Sequence, residues 1–139
     1  MFRKVLVPVD FTAKNERALA TARSMAQLAC GEITLVHVVE TLEDELDTDL
    51  AGFYRRLEAK AEAKMAPTLA SLGENGFSKR SSIVLGHRAR AIADFAEHER
   101  IDLIVLSSHR VDPDQPGHDW MTISYKVAIL ARCPVLLVK

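Results

Sequence analysis

Two stretches of this chain end an apolar run on side chains that can hold a ligand. Val7-Pro8-Val9-Asp10 closes the first run with a short carboxylate. Leu106-Ser107-Ser108-His109-Arg110 closes a later one with two hydroxyls, an imidazole and a guanidinium. A carboxylate such as Asp10 suits a ligand hydroxyl, a metal-bound water or the amides at a helix start. The Ser107–Arg110 stretch suits an anion, because a guanidinium grips a phosphate through two parallel hydrogen bonds. Arg88 and Arg90 open a helical segment, where the helix dipole disfavours cations. A nearby anion accounts for them, and so does pairing with the acidic residues between Glu40 and Asp49.

Other reactive side chains point to packing. His37 falls inside a strand-like run and reads as a sheet residue. His87, His98, His109 and His118 lack the spacing that places two imidazoles on one helix face, so nothing local supports a metal. Only His109 is kept, for its place at a strand tip. Cys30 and Cys133 form neither a disulfide framework nor a zinc pattern, and both read as small buried hydrophobes. Trp120 and Tyr125 are candidates for a contact anchor or for ordinary packing. The phosphate loop G-x-x-x-x-G-K-[ST] and the nucleophile elbow G-x-S-x-G are both missing. No second acidic residue flanks Asp10 in sequence, so catalytic turnover is not expected.

These residues need elements to position them. Five runs rich in Val, Ile and Leu read as strands: Lys4–Val9, Ile33–Val39, Ser82–Leu85, Leu103–Ser107 and Pro134–Val138. Four of them are almost continuously apolar, as strands covered on both faces are. Between them lie helical patterns. The first, about 13–30, aligns Ala18, Ala22, Met25, Ala26 and Ala29, with Thr12 as N-cap and Gly31 as the left-handed residue past its end. The second, about 46–72, aligns Leu50, Tyr54, Leu57, Ala61, Met65, Leu69 and Leu72, and Pro67 predicts a kink or an early end. The third, 89–100, turns Ile92, Phe95 and Ala96 inward. The fourth, about 122–132, turns Ile123, Val127, Leu130 and Ala131 inward. Strictly alternating strands and helices predict an α/β fold, parallel pairing, and right-handed crossovers with helices on both sheet faces. In such a sheet a ligand sits beyond the carboxyl ends of the strands, where the strand order reverses.

Composition sets the outer limits. The chain has 139 residues, 48% hydrophobic and 27% charged, which suits one globular domain spanning residues 1–139. Eighteen Lys and Arg against nineteen Asp and Glu leave a net charge of −1, without the basic excess of a nucleic-acid binder. No apolar run approaches the roughly 20 residues that span a bilayer. The start leads directly into a strand, with no signal-peptide pattern, so a cytoplasmic protein is expected. The acidic residues 40–49 read as a solvated loop before the second helix.

In its tips and its close the sequence resembles the universal stress protein family. The resemblance is carried by Lys4-Val5-Leu6-Val7-Pro8-Val9-Asp10, by Leu35-Val36-His37-Val38-Val39, by Ile101–Leu106 followed by Ser-Ser-His, and by Ala131-Arg132-Cys133-Pro134-Val135-Leu136-Leu137-Val138. It implies a single doubly wound domain, similar to the adenine nucleotide alpha hydrolase fold. Its five-stranded parallel sheet would run in the order 3-2-1-4-5 with two helices on each face. It also implies a homodimer through the C-terminal strand, Pro134 to Val138, a regulatory role in the stress response, and a protein partner that the sequence does not identify.

The nucleotide-binding branch of that family carries Gly, two residues, Gly, nine residues, Gly, then Ser or Thr, so that bare amides approach the phosphates. Here Ser107, Arg110 and Met121 stand in the glycine places, Thr122 in the hydroxyl place, and ten residues separate Arg110 from Met121. Asp112, Asp114 and Asp119 add negative charge to that loop. ATP binding is therefore expected to be weak or lost, and no cofactor is required. For ATP or another adenine nucleotide, the resemblance assigns Pro8, Val9, Asp10 and Val38 to the base and sugar. It assigns Ser107, Ser108, His109, Arg110 and Thr122 to the phosphates.

Overall fold

The computed structural model describes residues 1–41, 50–74, 76–109, 114 and 122–139. In chain order the elements are β1 (Lys4–Pro8), α1 (Asn15–Ala29), β2 (Glu32–Glu40), α2 (Ala51–Ala70), β3 (Ser78–Gly86), α3 (Arg88–His98), β4 (Leu103–Ser107), α4 (Ile123–Leu130) and β5 (Val135–Val138). The sheet is parallel throughout and ordered β3-β2-β1-β4-β5. This is the doubly wound α/β fold that the alternating pattern predicts.

Each sheet face has its own core. Val5, Val7, Ile33, Leu35 and Val105 point to one face, under Ala18, Ala22 and Ala26 of α1 and Met65 of α2. Leu6, Val36, Val38, Ile104 and Leu106 point to the other, under Ala89, Ile92 and Ala96 of α3 and Val127 of α4. Successive strand residues take opposite faces, and both faces are roofed, which is why these runs are apolar without alternation. The start of the sheet is tied by polar groups: the Asp102 carboxylate accepts the amides of Arg3 and Lys4, both at 3.0 Å.

The structure corrects several local expectations. Thr12 does not cap α1: the residue before the helix is Lys14, with no side-chain cap, and the Thr12 carbonyl accepts the Asn15 amide. The left-handed residue after α1 is Cys30 (φ 49°), not Gly31. Gly31 is needed for space, since a Cβ there would run into the Arg3 carbonyl that opens the β1–β2 ladder. Cys30 is exposed rather than buried, while Cys133 is half-buried and burial raises its thiol pKa. β3 starts four residues earlier than its apolar run, because an edge strand tolerates the polar segment Ser78–Ser81. α2 runs through Pro67 and ends at Ala70. α3 ends at His98, and Arg100 turns left-handed (φ 55°). In α4, Leu130 faces solvent, and Ser124 is buried instead. Residues 46–49 of the expected second helix and most of the acidic run lie outside the described residues.

Candidate functional site

β1 is central, and at its junction with β4 the chain leaves β1 for α1 on one sheet face and leaves β4 for α4 on the other. Their carboxyl ends therefore part, and a crevice of about 110 Å³ opens between them. Pro8, Val9, Asp10, Val38 and Ser107 of the expected site all line it. Ser108 and Thr122 stand just behind, through Ser124: the Ser108 and Ser124 hydroxyls are 3.4 Å apart, and those of Thr122 and Ser124 3.1 Å. His109 is exposed beyond the end of β4. Arg110 and Trp120 lie outside the described residues.

The tip of β1 is built by short-range polar contacts. The Val9 amide makes the last bond to β2, to the Val36 carbonyl at 2.8 Å. Phe11 then takes a left-handed conformation (φ 64°), a strained choice for a bulky side chain, and the chain swings away. Val38 lies two residues beyond Val36, so its amide and carbonyl point the same way, toward the space β1 has left. The Asp10 carboxylate accepts the Thr12 amide (3.0 Å) and hydroxyl (2.6 Å), closing an Asx turn rather than capping a helix. Burial acts against its charge. The Thr12 bonds, the Asp10 amide and the Arg88 charge together outweigh burial, and the net pKa falls below the usual value.

Sequence reading passed over Asn15, took His37 for a sheet residue and left Arg88 between an anion and the acidic run; all three line the crevice. Asn15, only 6% exposed, accepts the Asp10 amide at 3.0 Å and donates to the Ser107 hydroxyl at 3.2 Å. It replaces the ladder between the β1 and β4 tips, whose pairing stops at Leu6↔Ile104. The His37 ring donates from Nδ1 to the Val9 carbonyl at 2.7 Å and packs on Phe11 at 4.5 Å, so it braces the tip as well as lining the crevice. Arg88, the first residue of α3, lines the crevice and pairs with Glu40 at 3.4 Å. Arg90 turns outward and pairs with Asp94 on its own helix. Helix spacing after β1 already placed Asn15 near the tip, but its partner Ser107 is 92 residues away, and no local signal joins them.

Tyr125 is half-buried, with its hydroxyl 3.4 Å from Lys139 Nζ. Among the described residues, no group of three or more His, Cys, Asp or Glu side chains is placed to hold a metal ion. No described helix is long and apolar enough to cross a membrane.

This arrangement has close counterparts. The family model for the Universal stress protein family matches residues 1–139. Universal stress protein MJ0577 of Methanocaldococcus jannaschii is 27% identical over 129 residues, covering 78% of each chain. The solved structure of MJ0577 matches with a TM-score of 0.84 at 26% identity, over 100% of this chain and 96% of that one. Universal stress protein UspA from Lactobacillus plantarum matches with a TM-score of 0.81 at 24% identity, over 99% and 98%. A universal stress protein from Archaeoglobus fulgidus, solved in complex with dAMP, shares the fold with a TM-score of 0.71 at 19% identity, over 99% and 98%.

Proposed function

Because the chain belongs to the universal stress protein family, we propose that it is a stress-linked regulatory domain without catalytic turnover. It acts as a dimer through protein contacts and holds ATP weakly or not at all. One observation carries this reading: the crevice sets an ionised carboxylate, Asp10, among neutral hydroxyls, while Arg88 in its lining is already paired with Glu40. A triphosphate needs several charge-assisted bonds at once, each worth roughly 1.5–3 kcal/mol. Ser107, Ser108, Thr122 and Ser124 offer uncharged donors, and Asp10 adds repulsion.

The test is a calorimetric titration with ATP and magnesium at about 100 μM protein, which detects binding worth about −5.5 kcal/mol. Little or no heat is expected, and a micromolar dissociation constant overturns the reading.

The crevice supports a second reading, that of a sensor for a smaller adenine nucleotide. What favours it is the main chain of Val38, open toward the crevice, with Asp10 placed for a sugar hydroxyl. Saturable heat from AMP or dAMP, with none from ATP, supports this second reading.

A further inference from the structure

α1 and α2 cover the same face of the sheet. Between the first turn of α1 and the last turn of α2 lies an open groove of about 290 Å³. Asn15 is shared by the groove and the crevice. Its amide is engaged toward the crevice, with the Asp10 amide and the Ser107 hydroxyl. Phe11, Leu19 and Pro67 give the groove apolar walls.

The hydroxyls among those walls are all of one kind. Thr12 donates to the Asp10 carboxylate at 2.6 Å, Thr68 to the Lys64 carbonyl at 2.9 Å, and Ser71 to the Thr68 carbonyl at 2.6 Å. A hydroxyl has one proton to give, so these three offer a ligand only lone pairs. Glu16 adds a carboxylate, which also only accepts, and no described Lys, Arg or His belongs to the lining. α2 ends here without a basic residue in its last turn, so the negative end of its dipole has no cation beside it. Apolar walls that carry acceptors and a negative charge suit an ammonium group on an apolar body. We infer that this groove is a second ligand site, apart from the crevice, that takes a small organic amine in its charged form. The site stands whether or not the crevice holds a nucleotide.

Amide-resolved NMR titration of the full chain at neutral pH tests the inference with three probes of similar shape. Phenethylammonium carries the cation, phenethyl alcohol is neutral, and hydrocinnamate is the anion. Phenethylammonium is expected to shift the amides of Thr12, Glu16, Thr68 and Ser71 saturably, with a dissociation constant in the millimolar range. It should bind at least about 5-fold more tightly than hydrocinnamate, with the alcohol between them, since a solvent-exposed charge contact is modest. Glu16→Gln should narrow that ratio to about 2-fold, and Glu16→Lys should reverse it. Glu16 is exposed, so its replacement leaves the core intact. Should the lysine variant still fail to fold, which circular dichroism reveals, the glutamine variant reads the same ratio. Shifts that do not saturate, or that map away from the groove, overturn the inference. Hydrocinnamate binding as tightly as the amine also overturns it, and so does a preference that neither substitution changes.

Discussion

Asp10 is charged because of what surrounds it. Its net pKa lies below the ordinary value, despite burial, through the Thr12 bonds, its own amide and the Arg88 charge. A carboxylate whose folded pKa lies below its unfolded value, about 3.9, adds stability that is complete above that value and is lost as pH falls through the folded one. Asp10→Asn is therefore expected to destabilise the protein modestly at pH 7, by roughly 0.5–1 kcal/mol once solvent screening is allowed for. The difference should shrink steadily as the pH drops below about 4. Urea unfolding of both proteins at neutral and acid pH measures it. A difference independent of pH assigns the effect to shape rather than charge. The place of Asp10 at the strand tip was legible from its position after an apolar run. The bridge that Asn15 makes from the Asp10 amide to Ser107 was not, because Ser107 is 92 residues away and meets Asn15 only once α1 has folded beside the β4 tip.

α2 shows how far a local rule extends. Pro67 has no amide to give the preceding turn, and the sequence predicts a kink or an early stop. The helix carries three residues past it, to Ala70, since Tyr54, Ala61 and Met65 are buried along one face and hold it against the sheet. An interior proline costs about 3 kcal/mol relative to alanine, offset by about 0.4–1 kcal/mol through its restriction of the unfolded chain. Because Pro67 sits in the last turn, Pro67→Ala should recover only part of that difference, about 1 kcal/mol. Thermal or urea unfolding reads this directly. A loss of stability would instead show that the ring packs usefully in the groove it lines with Phe11 and Thr12. The apolar strands were legible almost to the residue in β1 and β4, which are roofed on both faces. β3 was read short because its polar half sits at an edge, where hydrophobic pattern carries no information.

The sheet has two edges with different chemistry. The outer edge belongs to β3 on one side, with Lys79 and Arg80 among its polar residues, a composition that discourages further pairing. On the other side lies β5, a short apolar strand, with Leu136 exposed to 38% and with Leu130 (44%) and Ile129 (79%) exposed on the neighbouring α4. If the dimer forms through β5, Leu136→Lys should move the protein toward monomer in sedimentation equilibrium at micromolar concentration, and Ser81→Lys on β3 should not. A dimer unaffected by Leu136→Lys places the contact elsewhere.

What the sequence determined alone is whatever depends on neighbours in the chain. Apolar runs made strands, periodic alanines and leucines made helices, and strict alternation of the two made a parallel sheet with strand tips that carry polar residues. The tertiary structure decided which tips meet. Asn15 on Ser107, His37 under Val9, and Arg88 over the end of β2 are contacts between residues far apart in sequence. Such contacts have no periodic signature, since their geometry is set by strand order and by where each helix begins.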